Sequence, residues 1–374
     1  MRRADVLIIG GGGAGCSAAL FLARRGARVI LLERGQVGSQ ATGVNYGGVR
    51  QQGRHPSGIP LARKSREIWS RLPALIGTDA EFQACGHLKL ARSEADEAEL
   101  ARWNAIAAEH GLVTRMIGRN AIRAEHPYFS EQVVAGSLLA EDGAANPRLL
   151  SPALARAARA AGAELLEHHE VTAMGRDGAG FVVEAAGNAF TAPVLLNCAG
   201  FWGGKVAAAF GEEVPIAPLH PNMLVTEPLP FFCTHSLGVV GGGLYLRQIA
   251  RGNVIFGGGR ASGEQDATRT RPSADATLAS MQEAVALIPR LAGAMVIRSW
   301  SGTDGIFADH FPVLGPSRTA PGLIHAFGFC GEGFQLGPGV GAVLSELVLD
   351  GRTDVPLEAF DIGRFARQDA AMAG

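Results

Sequence analysis

Apolar residues along this chain fall into two regimes. In the first they form short, nearly charge-free runs: Val6 to Ile9, Arg28 to Leu32, Val194 to Asn197 and Leu323 to Phe327. Such runs suit strands buried on both faces of a parallel sheet. In the second, from Pro215 to Val296, prolines at 215, 218, 221, 228 and 230 punctuate shorter stretches. That pattern predicts strands at Met223–Thr226, Leu244–Arg247 and Asn253–Phe256, with a helix from Ala274 to Ile288 stopped by Pro289. An antiparallel sheet carrying a helix is the natural reading of this second block.

Helical spacing fills much of the remainder. An amphipathic helix is expected over Ile59–Leu75, with Leu61, Ile68, Trp69 and Leu72 on its apolar side, and an acidic one over Ala95–Glu109. Ala121–His126 reads as a short helix, and Asn146-Pro147 opens an alanine-rich one to Ala161, closed by Gly162. Strands are expected at Phe82–Leu90, Val134–Leu139 and Glu164–Leu166. A hairpin is expected around Gly187-Asn188, between Phe181-Val-Val-Glu and Ala189-Phe-Thr. The last helix spans Gln335–Leu349. Residues 34–55 predict a long Gly/Ser/Thr/Asn-rich loop, and a loop of that length is functional or disordered.

The sharpest local signal lies at the end of the first strand. Val6–Ile9 runs into glycines at 10, 12 and 15, which match G-x-G-x-x-G. A small-residue helix succeeds them from about Ala14 to Arg25, then a second strand that ends on an acid, Glu33. Gly10 allows the tight turn, Gly12 lets the backbone approach a pyrophosphate, and Gly15 lets helix and strand pack closely. The helix start offers N–H groups to phosphate, and Glu33 can accept from ribose hydroxyls. This is a dinucleotide fingerprint in its confirming context. Val6–Ala23 is also free of charge, which raises the alternatives of a signal peptide or a membrane span. Its five glycines, and the strand that comes directly after it, argue for a buried βαβ unit instead.

Composition narrows the class. In 374 residues the formal net charge is −1, which gives no electrostatic footprint for nucleic acid or an anionic membrane. The 51 glycines are nearly twice the usual share of about 7% and fall at strand ends and turns. Cysteines 16, 85, 198, 233 and 330 are scattered, with no C-x-x-C pair, which predicts neither a disulfide framework nor a zinc or iron–sulfur site. His220, His310 and His325 lack ligand spacing, so no metal is expected. A reducing, cytoplasmic setting is the default expectation.

Four blocks together carry a resemblance. They are the N-terminal fingerprint, the loop Gly38-Ser-Gln-Ala-Thr-Gly-Val-Asn-Tyr-Gly-Gly-Val-Arg50, Asn197-Cys-Ala-Gly-Phe-Trp202, and Gly328-Phe-Cys-Gly-Glu-Gly-Phe-Gln-Leu-Gly-Pro-Gly-Val-Gly341. Tyr245-Leu-Arg247, Gly257-Gly258 and Asp309-His-Phe-Pro-Val-Leu-Gly315 add to it. The chain resembles the FAD-dependent D-amino acid oxidase superfamily, on its glycine oxidase and sarcosine oxidase side. The 44–54 loop is most similar to that of the β subunits of opine and D-hydroxyproline dehydrogenases. The fold implied is α/β: a discontinuous Rossmann-like FAD domain (1–80, 140–214, 300–374) and an α+β substrate domain (81–139, 215–299) with a mainly antiparallel sheet.

The resemblance also implies roles. Glu33 and Arg34 would hold the adenosine end, with Gly10, Gly12, Ala14 and Gly15 around the pyrophosphate. Ser39, Ala41, Thr42, Gly47 and Gly48 would lie along pyrophosphate and flavin, Val171 against adenine, and Ala199, Gly200 and Trp202 over the phosphates. Gly331, Glu332, Gly333, Phe334 and Gln335 would open the last helix at the flavin's pyrimidine edge, where the positive helix end favours reduced flavin. Gly333, Gly337 and Gly339 would allow close approach there. Sarcosine oxidases tether flavin through a cysteine; here that position falls on Gly302, which implies FAD without that bond.

Those oxidases also carry a histidine and a lysine where this chain has Glu332 and Gln335, a departure that favours a dehydrogenase using another electron acceptor. Flavin amine oxidation chiefly needs positioning, so an arginine clamp is expected: Arg50 first and Arg247 second, with Tyr46 and Tyr245 as walls. Glu332 would meet a cationic or secondary amine or an opine's guanidinium arm, or else cap the helix or bind Arg50. The expected activity is FAD-dependent oxidation of the CH–N bond of a small amino acid to an imine. The substrate would be D-proline, hydroxyproline, sarcosine, glycine or an opine. Oxidation of a 2-hydroxy acid, or a flavin subunit that needs partner chains, stands as the alternative.

Overall fold

The computed structural model describes residues 1–178, 180–264 and 268–366. Its organising element is a six-stranded sheet in the order 313–316, 323–327, 194–197, 6–9, 29–32, 164–166. All neighbours run parallel except the edge strand Val313–Pro316. Strands Val6–Ile9, Val29–Leu32 and Leu323–Phe327 are buried throughout because both faces are covered. Val6, Ile8, Val29 and Leu31 face helices Gly13–Arg24, Pro147–Ala160 and Gly333–Leu349. Leu7, Ile9, Ile30 and Leu32 face Phe181, Val183 and Phe190 of a four-stranded sheet. The period-two alternation of each strand thus feeds two separate cores.

The last helix threads between two others at close range. A Cβ on Gly341 would stand 2.3 Å from Ser17 Cβ, and one on Gly339 would stand 2.7 Å from Ser65 Cβ. Gly337 likewise abuts the backbone of Gly13. Gly337 and Gly339, expected to approach a flavin, instead make room for protein; only Gly333 of the three reaches the large cavity.

The second sheet has eight strands in the order 296–301, 221–228, 253–260, 245–248, 236–239, 87–91, 135–139, 114–118. Pairing is antiparallel except where Ser236–Val239 runs parallel to His87–Ala91. Helix Ala274–Leu287 packs on strand Asn253–Arg260. No helix among the described residues is long and apolar enough to cross a membrane.

Several expected elements change. The helix over Ile59–Leu75 is two, Ile59–Ser70 and Leu72–Ile76, because Pro73 in the second forces a break at Arg71. The strand expected over Phe82–Leu90 starts only at His87; before it, Gln83 makes an isolated bridge to Ala144. The 34–55 loop contains a helical turn at Ala41–Val44 and a short strand at Gly48–Val49. In the hairpin, Ala185 pairs with Asn188, so Ala186 and Gly187 form the turn, both at positive φ.

Candidate functional site

A cavity of about 790 Å³ runs from the first glycine turn, at the C-terminal edge of the six-stranded sheet, to the face of the eight-stranded sheet. The volume suits a large cofactor with a small ligand beside it. At one end stand Gly10, Gly12, Ala14, Glu33, Arg34, Val171, Ala199, Gly200 and Trp202. The helix Gly13–Arg24 starts here with no side-chain cap from its N-cap residue, Gly12, and the Gly13 N–H donates to Thr42 Oγ1 at 3.0 Å. The buried Glu33 carboxylate accepts from the N–H groups of Gly11 (2.7 Å) and Gly35 (2.8 Å). A carboxylate has about four acceptor sites, so two remain for hydroxyl groups. The Arg34 guanidinium stacks 3.6 Å from the Trp202 ring centre, and its Nη2 is buried with no hydrogen-bond partner among the described residues. A helix start whose N-cap residue supplies no side-chain cap, an acid at the second strand's end and a guanidinium with a buried Nη2 still to be satisfied fit the FAD expected from the sequence.

Ser39, Ala41, Thr42, Tyr46 and Gly48 line the middle of the cavity, and Gly302, Gly331, Glu332, Gly333 and Phe334 form the wall at the last helix. A Cβ on Gly302 would lie 2.1 Å from Val44 Cγ2, so this position has no room for a side chain. The Tyr46 and Tyr245 rings meet edge to face at 5.0 Å. Their hydroxyls are spent on Ser236 Oγ and Met223 Sδ, and burial pushes both phenols up, Tyr245 to about 12. They are neutral walls.

Four expected residues stand behind the wall. Gly15 packs against Gly10, and Gly47 against Ala145 and Arg247. Gln335 is buried, with its Nε2 donating to Ala62 O. Arg247 is the main correction. Its Nε donates to the Tyr46 carbonyl at 3.0 Å and its guanidinium lies under the Tyr46 ring, so the loop's backbone separates it from the cavity.

The charged end of the cavity centres on the last residue of the 44–54 loop, to which the sequence assigns no role. Arg54 is 3% exposed yet forms part of the wall. Its Nη1 meets Glu332 Oε2, and its Nη2 donates to Gln335 Oε1 at 3.0 Å and to the Arg50 carbonyl at 3.2 Å. Arg50, half-exposed, places Nη2 3.8 Å from Glu332 Oε1. Glu332 does not cap the helix it precedes. It lies between two guanidinium groups. Asp304 adds a second acid to this wall; it accepts from the N–H groups of Gly305 and Gly331, and burial pushes it up to about 6. The only hint of Arg54 in the sequence is its place in the same loop as Arg50.

A buried network fixes this loop from behind. Asp142 accepts from the N–H groups of Gln51 (2.8 Å) and Gln52 (2.9 Å), and burial raises it to about 6. Gln52 Oε1 bonds His87 Nδ1 at 2.6 Å, and its Nε2 donates to Ser137. Burial, then Arg50 and Lys89, hold His87 well below its ordinary 6.5. The folded chain keeps this imidazole neutral while the unfolded chain takes up the proton, so stability is lost as pH falls below 6.5. His87→Gln should therefore make the melting temperature fall less between pH 7 and pH 5 than it does in the unaltered protein. Parallel curves would place that acid sensitivity elsewhere.

The family model described as FAD dependent oxidoreductase matches residues 5–347. Glycine oxidase of Geobacillus kaustophilus (strain HTA426) is 28% identical over 375 residues, covering 97% of both chains. An opine oxidase subunit of Rhizobium meliloti is 26% identical over 383 residues, covering 99% of this chain and all of that one. Among solved structures, the L-proline dehydrogenase from P. horikoshii superposes with a TM-score of 0.91 at 26% identity, over 98% of this chain and 99% of that one.

Proposed function

The chain belongs to the FAD dependent oxidoreductase family, and from that premise we propose that it oxidises the CH–N bond of a small secondary or D-amino acid. One observation carries the choice of substrate. Where the cavity meets the last helix, Arg50 and Arg54 stand beside Glu332, and Asp304 adds a second acid to the cavity lining, while Tyr46, Tyr245 and Met223 are uncharged lining residues. A zwitterion needs both signs of charge within a few ångströms, and a 2-hydroxy acid needs only the positive one. Similarity to glycine oxidase, opine oxidase and L-proline dehydrogenase supports the same class.

In this reading Gly10, Gly12, Ala14 and the first helix start hold the pyrophosphate, Glu33 the ribose, and Arg34, Val171 and Trp202 the adenosine end. Residues of the 39–48 loop would hold the cofactor along its length, and the positive start of helix Gly333–Leu349 would favour negative charge on a reduced flavin. The packing around Gly302 supports non-covalent binding there. FAD supplies the two-electron acceptor for the substrate's Cα–H. The protein's part is to clamp the carboxylate on the arginines and to hold the nitrogen beside the acids, where its ammonium proton would pass to a carboxylate or to water before the Cα–H is lost. It also keeps water out with the tyrosine pair. The imine that leaves is hydrolysed in water or stays cyclic.

Anaerobic mixing of the holoenzyme with candidate substrates, monitored by flavin absorbance, tests this. Bleaching by D-proline, hydroxyproline, sarcosine, glycine or an opine, with 2-hydroxy acids inert, is the expected result; the reverse pattern overturns it. A second reading, a flavin-holding subunit that needs partner chains, draws on the full-length similarity to the opine oxidase subunit. Fast hydrogen peroxide production by the chain alone would remove it.

A further inference from the structure

The carboxylate of Glu332 is held as a ligand's carboxylate would be. One oxygen meets Arg54 Nη1 and the other lies 3.8 Å from Arg50 Nη2, so it bridges two guanidinium groups that both face the cavity. Arg54 needs a counter-charge, because it is buried almost completely and its Nε has no hydrogen-bond partner among the described residues. Glu332 is the acid in contact with it. Its side chain is a quarter exposed, caps no helix and hangs on a flexible stem at the cavity wall.

From this geometry, and resting on the amino acid reading above, we propose that Glu332 is a built-in placeholder that selects zwitterions over plain carboxylates. Its carboxylate occupies the arginine seat until a substrate's carboxylate displaces it, and it then turns to the substrate's cationic nitrogen. Exchange of one ion pair for two costs little when the ligand is an amino acid, since each charge finds an opposite. A ligand with a carboxylate and no ammonium must evict Glu332 and leave it unpaired in the wall. That penalty emerges as weakened binding, because apparent affinity falls with the fraction of protein whose seat is open. Glu332 is thus a specificity-determining residue: it acts through what it refuses as well as through what it holds.

The test compares two ligands that differ only in the amine. Neither is oxidised, since 2-aminoisobutyrate has no Cα–H and isobutyrate has no nitrogen. Their dissociation constants are measured by calorimetry on the holoenzyme and on Glu332→Gln, with flavin content and melting temperature confirming that the variant is folded. Glu332→Gln should tighten isobutyrate about tenfold and shrink the preference for 2-aminoisobutyrate by at least as much. Glu332→Ala should move both in the same direction, and serves if the amide perturbs the loop. An isobutyrate constant that is unchanged or weaker in both variants overturns the placeholder. The activity reading fails separately, if 2-hydroxyisobutyrate binds and 2-aminoisobutyrate does not; the isobutyrate comparison then still decides the role of Glu332. If no carboxylate binds any form, both fall.

Discussion

Gly15→Ala is expected to yield protein without bound FAD and to lower unfolding stability by about 3 kcal/mol. The added Cβ would lie 2.0 Å from the Gly10 carbonyl oxygen, at the point where strand, turn and helix meet. Gly10 cannot give way. It sits at φ +107°, and its own Cα faces the Cys198 carbonyl so closely that a Cβ there would be 2.3 Å from the oxygen. The helix must therefore move out, which shifts residues 13 and 14, both part of the cavity lining. The ratio of flavin to protein absorbance, with thermal unfolding alongside, reads both effects. Gly58→Ala is the control, because nothing lies within 4 Å of its Cβ and its φ is −87°; it should stay within about 0.5 kcal/mol of the unaltered protein. If Gly15→Ala kept its flavin, the close packing of this turn would not be what shapes the cofactor site.

Legibility in the sequence tracks the range of the interaction. Val6–Ile9 and Leu323–Phe327 have the predicted bounds, because a buried parallel strand announces itself by its own composition. The glycine turn is equally local. Thr114–Gly118 and Ser236–Val239 give no such signal; their pairing depends on strands far away in sequence, and three of the five residues in the first are exposed. The break at Arg71 is written in Pro73 but masked by the apolar spacing around it.

The site divides the same way. Positions fixed by a turn or a helix start, such as Glu33, Thr42 and Gly331, can be placed from motifs. Arg247 cannot, because whether an arginine on a strand reaches a cavity depends on what covers it; here the Tyr46–Gly47 backbone does. Arg54 is hidden for the opposite reason. A charged residue in a polar loop gives no hint in sequence that three distant groups, Glu332, Gln335 and the Trp103 indole, converge on it.

Arg54→Gln should cut kcat/KM about a hundredfold for whichever amino acid bleaches the flavin, with most of the loss in KM. A charge-assisted hydrogen bond is worth about 1.5–3 kcal/mol, and the fork of a buried guanidinium gives a carboxylate two of them in one plane. Arg54 is suited to this because burial has already removed its water, and Gln335 together with the Arg50 carbonyl fixes one side of the fork. Arg54→Lys keeps the charge but loses the planar geometry, so it should recover only part of the lost affinity. Arg247 supplies the contrast. Arg247→Lys breaks the bond to the Tyr46 carbonyl and should show first as a lower melting temperature, with a change in kcat/KM of a few fold at most. Calorimetry with 2-aminoisobutyrate separates the two without turnover, since Arg54→Gln weakens binding and Arg247→Lys hardly alters it. The opposite ranking would return the carboxylate to Arg247 and require the loop at Tyr46 and Gly47 to open before substrate enters.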